Sequence, residues 1–137
     1  MINPDEKSKN SNKSLKDKIK LFFKNEYFQN KTNSWLLFLS LLADLINWAV
    51  LVIFLRTSTS NIILHYNVYF GVDMIGNWKQ TLLLPAIGLV IFAINFLLSR
   101  YFYFNKEKVA SYILLAATFM AQTSLLIAAL GVIIINY

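Results

Sequence analysis

Two sets of side chains in this 137-residue chain have types and spacing that chemistry can use. His65 and Asp73 stand eight residues apart between two long apolar runs; an imidazole and a carboxylate held together form an acid–base pair or offer two ligands to a cation. Two ligands fall short of a zinc site, which takes three or four, and no nucleophile stands nearby, so an ordered loop histidine is the plainer expectation. The second set is Asp44, Asn47, Asn95 and Gln122, each inside an apolar run. A carboxylate in the middle of a membrane helix costs about 2.5 to 3.5 kcal/mol on insertion scales, so hydrogen bonds or a bound proton or cation must offset it.

Composition narrows the chemistry further. With no cysteine there is no disulfide, thiolate nucleophile or zinc ribbon, and a single histidine makes a self-contained transition-metal or bis-histidine haem site untenable. No cofactor is expected. Hydrophobic residues make up 57% of the chain and charged residues only 15%, too few to clothe a water-soluble domain. An enzyme is the least expected class, because only His65 and Asp73 stand where a soluble substrate could meet them.

The elements that must position these residues follow from the apolar runs. Three stretches, at about 35–55, 82–103 and 112–135, are long enough to cross a bilayer as helices, and none shows the alternation of a barrel strand. The expected fold class is an all-α membrane protein of three transmembrane helices, with a basic amphipathic N-terminal helix on the inner surface. Residues 1–13 are polar and expected to be disordered. Over 14–30 a helix starts at Ser14, with Asp17 three residues on, and carries Leu15, Ile19, Phe22, Phe23 and Tyr27 at helical spacing. Its Lys16, Lys18, Lys20 and Lys24 are expected to contact the anionic inner leaflet of the bilayer, which makes lipid rather than nucleic acid the partner of the basic tail. Residues 31–137 form the transmembrane domain, with an ordered outer loop at 56–81.

Orientation follows from the lysines and arginines. Eight of the thirteen precede Trp35, and three more, Arg100, Lys106 and Lys108, lie between the second and third runs. The N-terminus and that connection are therefore expected inside, with the loop at 56–81 and the C-terminus outside a bacterial inner membrane. Trp35, Trp78, Tyr101, Tyr103 and Tyr112 fall near the expected interfaces.

Counted inward from the ends of the runs, Asp44, Asn95 and Gln122 reach similar depth, and Asn47 shares the face of Asp44. A hydrogen-bonded cluster of these four is expected, with Ser40, Ser99 and Thr118 extending it. In the third run Ala117 and Ala121, then Ser124 and Ala128, are small residues four apart that let another helix approach closely, in this chain or in a neighbour. Pro85 stands at the first turn of the second helix, where its missing N–H costs little.

The connection from Arg56 to Thr81 is too long for a simple turn and too apolar for a free linker. An extended segment before Gly71, a turn, and re-entry at Trp78 are expected, with Gly71 and Gly76 permitting turns. Its residues Asn61, Ile63, His65, Tyr66, Asn67, Gly71, Asp73, Gly76, Trp78 and Lys79, with Pro85 just beyond it, resemble the histidine–aromatic–asparagine and glycine signature of a small bacterial membrane domain of unknown function. That domain occurs alone and at the front of proteins similar to the sporulation-delaying immunity family. The resemblance covers Ser58 to about Gly88 and implies an inner-membrane protein whose outer loop is a defined structural feature. The leading functional expectation is an interaction or accessory component of a membrane complex, partnered by another membrane protein or a second copy. An immunity or signal-transducing role, and a proton- or ion-coupled transport subunit using Asp44, are the alternatives.

Overall fold

The computed structural model describes residues 26–56 and 61–137. The expected polar tail, most of the expected helix at 14–30, and Lys16, Lys18, Lys20 and Lys24 lie outside the described residues.

A short helix, α1 (Glu26–Gln29), ends at Asn30, whose side chain accepts hydrogen bonds from the backbone N–H groups of Thr32 and Asn33 at 3.0 and 3.4 Å. This cap satisfies donors that a helix start otherwise leaves open, so α2 (Lys31–Leu55) begins four residues before the apolar run does. A 3-10 turn (Trp78–Leu82) leads into α3 (Leu83–Phe104), with Pro85 buried in its first turn, and α4 (Lys108–Asn136) closes the chain. The three long helices are long and apolar enough to cross a membrane.

Between α3 and α4 the chain reverses within three residues. Lys106 adopts a left-handed φ of 66°. Its N–H bonds the carbonyl of Tyr103 at 3.2 Å, and the N–H of Glu107 reaches that of Phe102 at 3.0 Å. This pair of bonds is the Schellman closure, here with lysine where glycine is usual.

The expected all-α architecture needs one correction. The connection between α2 and α3 holds a two-stranded antiparallel sheet, β1 (Ile62–Asn67) and β2 (Gly71–Gly76). The register pairs Ile63 with Ile75, His65 with Met74 and Tyr66 with Val72, leaving Leu64 and Asp73 as extra residues, one on each strand. Because the two bulges offset each other, the strands stay paired although neither keeps the alternation by which a strand is recognised. At the tip Gly71 takes a φ of 76°, and the Asn67 side chain accepts from the N–H of Tyr69 at 2.9 Å. Gly76 is needed for a different reason: a Cβ there would run into the side chains of Gln80 and Leu64.

α4 packs against both α2 and α3. One apolar cluster, of Leu51, Leu55, Ile62, Ala129 and Ile133, joins the helices to the hairpin, and another, of Tyr27, Leu37, Tyr103 and Leu115, closes the opposite end. The polarity of the bundle is inverted relative to a water-soluble one. Asn33, Asp44, Asn47, Ser99 and Gln122 are buried, whereas Ile53, Leu97, Ile113, Met120 and Ile134 are exposed.

Candidate functional site

Midway along the bundle the three long helices meet at polar groups. Asp44 and Asn47 from α2 and Gln122 from α4 are each at most 1% exposed. The amide nitrogen of Gln122 donates to the backbone carbonyl of Gly88 on α3 at 2.8 Å. A methyl group on Gly88 would stand 2.6 Å from Gln122 Oε1 and 2.7 Å from Asp44 Oδ1, so glycine is what allows both side chains to reach α3. The Trp48 indole, one turn on, lies within hydrogen-bonding reach of the Asp44 carboxyl. Asp44 Oδ1, Gln122 Oε1 and both amide atoms of Asn47 are buried without a hydrogen-bond partner.

Of the four residues expected to cluster, Asp44, Asn47 and Gln122 are buried in this layer, and Asn95 is only half-buried. Among the described residues no hydrogen bond joins any of the four to another; Gln122 bonds the Gly88 carbonyl instead. α2 and α4 begin about four residues before their apolar runs, so depth counted from the runs comes out too shallow on two of the three helices. Counted from the helix ends, Asp44 lies fourteen residues beyond Asn30, Gln122 fifteen beyond Glu107 and Gly88 seventeen before Asn105. Ser40 and Thr118, also buried, bond back to the carbonyls of Leu36 and Leu114 in their own helices.

A second polar network closes the Asn30 end. The Tyr27 hydroxyl and Ser99 Oγ are 2.8 Å apart, and Ser99 and Ser111 Oγ 2.7 Å apart, which ties α1, α3 and α4 together. Asn30 Nδ2 donates to the Tyr112 hydroxyl at 2.8 Å, and Asn33 Nδ2 to the Tyr27 carbonyl at 3.3 Å. Burial pushes the Tyr27 phenol above its ordinary range, against the opposing pull of the Ser99 hydrogen bond and the Arg100 guanidinium.

On the hairpin, His65 Nδ1 lies 2.8 and 2.9 Å from the two carboxylate oxygens of Asp73. The bulges bring these two residues together although they are not register partners. Both side chains are well exposed, at 62% and 41%, and among the described residues no third acidic or histidine ligand joins them. Tyr66 and Asn67 complete β1, Gly71 and Gly76 bound β2, and Trp78 opens the 3-10 turn against the hairpin-end apolar cluster. The hairpin is clamped to α4 by Asn136, which accepts from the N–H of Ile63 at 2.8 Å and donates to its carbonyl at 2.7 Å. Beneath it lies a cleft of about 330 Å³ lined by Leu64, His65, Tyr66, Leu84, Ala128 and Gly131.

The small residues of α4 divide from its buried side. Ser111, Leu115, Thr118, Gln122, Ala129 and Ile133 face the bundle, whereas Ala117, Ser124 and Ala128 are exposed and Ala121 is half-buried. Ala117, Ala121 and Ser124 therefore stand away from α2 and α3, and Ala128 borders the hairpin cleft.

Gly88 and Asn136 carry little in the sequence that marks them as site residues. Gly88 acts through a backbone carbonyl, which leaves no side-chain signal beyond a glycine in mid-helix; Asn136 shows only as a polar residue closing an apolar run. The chain matches no family model, no curated protein and no solved structure.

Proposed function

We propose that this chain is a small integral protein of a bacterial cytoplasmic membrane that binds another membrane protein, or a second copy of itself, through the outward face of α4. The inverted polarity of the bundle supports membrane residence, since apolar side chains suit lipid and buried polar ones do not. The charge distribution supports an orientation with the N-terminus and the turn at Lys106 inside and the hairpin and Tyr137 outside. The observation that carries the interaction itself is the position of Ala117 and Ser124, small residues that the chain leaves uncovered, with Ala121 half-buried between them. In lipid such a face gains from close packing with another helix.

The chain has no cysteine, so Ser124→Cys gives a single reporter. In native membranes a photo-cross-linker attached through that thiol should give one discrete heavier species from Ser124→Cys, and none from Ile53→Cys on an exposed part of α2. No product from Ser124→Cys, or the same products from both, would rule out a specific interface there.

The hairpin favours a second role, immunity or signalling at the outer surface, in keeping with the family resemblance. Its turn holds out Val68, Tyr69 and Phe70 at 84%, 91% and 83% exposure, a patch suited to an apolar or membrane-active peptide. Expression should then protect cells from such a peptide, and Tyr69→Ser with Phe70→Ser should remove the protection; equal sensitivity with and without the chain would discard this role. A transport role for Asp44 has less support, because its carboxyl is closed off within the bundle.

A further inference from the structure

The middle layer sets two acceptors against one region of α3. The Gln122 amide nitrogen is held by the Gly88 carbonyl at 2.8 Å, and the reverse orientation of that amide would press its oxygen against the carbonyl instead. Its Oε1 is thereby fixed on the side where Asp44 Oδ1 also lies, both of them within 2.7 Å of the point a Gly88 Cβ would occupy. Both oxygens are buried without a donor. An ionised carboxylate there would have an acceptor for a neighbour in a fully buried region, an arrangement that low dielectric makes costly.

Among the described residues no positive charge relieves it. The other charged or titratable side chains of α2, α3 and α4 are Lys31, Arg100, Tyr101, Tyr103, Lys108 and Tyr112, and all stand at the Asn30 end of their helices. The Asn47 amide is neutral and unpartnered, and the Trp48 indole supplies one donor. A hard metal ion of the calcium or magnesium kind takes six or more oxygens, whereas this layer offers at most three unpartnered ones, Asp44 Oδ1, Gln122 Oε1 and Asn47 Oδ1. A proton needs only two.

We infer that Asp44 binds a proton in the middle of the bundle, as a neutral carboxylic acid whose O–H donates from Oδ1 to Gln122 Oε1. The site spans all three long helices: α2 carries the proton, α4 accepts its hydrogen bond, and the Gly88 carbonyl of α3 holds the acceptor in place. It rests on the inner geometry of the bundle and is independent of any partner at the outer face of α4. It also explains how an acid is tolerated at this depth without a counter-ion.

The test is infrared spectroscopy of the full-length protein in detergent micelles at neutral pH. A protonated carboxyl has a carbonyl stretch resolved from the amide and carboxylate bands. That band should be present in the natural chain, absent from Asp44→Asn, and shifted in Gln122→Met, which removes the acceptor. Heavy-carbon labelling of the aspartate carboxyls should move the same band in the unaltered chain, so the assignment survives even if Asp44→Asn does not fold. A folded natural chain with no label-sensitive acid band at neutral pH would overturn the inference. So would sodium or calcium raising the melting temperature at fixed pH in the natural chain but not in a folded Asp44→Asn, because the occupant would then be a metal ion.

Discussion

The bundle contains two buried polar layers, and they are finished differently. At the Asn30 end Tyr27, Ser99 and Ser111 form a chain of hydroxyls in which each group has a partner within 2.8 Å, and among the described residues there only Asn33 Oδ1 is buried without one. In the middle Asp44, Asn47 and Gln122 are buried to the same degree, but four of their polar atoms have none. A closed network fixes helices against one another and asks for nothing more. An open one at equal burial is expensive and persists where something else completes it.

The first way to break this contrast is to remove the close approach on which the middle layer depends. Gly88→Leu should cost the most, about 3 kcal/mol, because the side chain would collide with Asp44 and Gln122 and push α3 away from both neighbours. Thermal unfolding in detergent measures it; an unchanged melting temperature would mean the three helices do not meet there. Next in size is Tyr27→Phe at the closed layer, which removes one hydroxyl from a satisfied chain and should cost about 1 kcal/mol.

Tyr27 also sharpens the contrast through pH. Burial holds its phenol proton above the ordinary value of 10.0, so the folded chain keeps the proton where the unfolded chain loses it. The associated stability is complete below that value and is lost as pH rises through it toward the raised folded one. Tyr27→Phe should flatten this alkaline decline, and an equally steep decline in the variant would assign it to other tyrosines.

Smaller effects are expected away from both layers. Lys106→Gly should raise stability by less than about 1 kcal/mol, since glycine takes the left-handed conformation without the penalty lysine bears; no rise in melting temperature would count against strain at that turn. His65→Ala should change stability by less than about 0.5 kcal/mol, because the pair with Asp73 is exposed on both sides. A larger loss would mean that the hairpin relies on this pair rather than on the Asn136 clamp.

How much of this was legible in the sequence depends on where the signal lay. The long helices follow from uninterrupted apolar runs, but their true starts at Lys31 and Lys108 are polar and show only through caps and turns. The small-residue face of α4 could be read as a pattern, whereas which way it turned required the packing of the other two helices. In the middle layer Asp44, Asn47 and Gln122 are legible as polar residues within apolar runs, whereas the Gly88 backbone carbonyl that Gln122 bonds leaves no such mark, and Asn95 takes its place in the expectation. The loop between α2 and α3 shows its order through Asn67 and Gly71, yet its strand pairing is masked by the bulges at Leu64 and Asp73. Those same bulges bring His65 and Asp73 together.

Both polar layers draw on the inner side of α4, and the account turns on what its outer side does. The most direct test is the native mass of the protein extracted from its host membranes in mild detergent, compared with an Ala117→Leu, Ser124→Leu variant. A discrete assembly larger than one chain is expected for the natural protein, reduced to the single chain in the variant with its melting temperature preserved. A natural protein that leaves the membrane as a single chain, or an assembly unaffected by the variant, would contradict it.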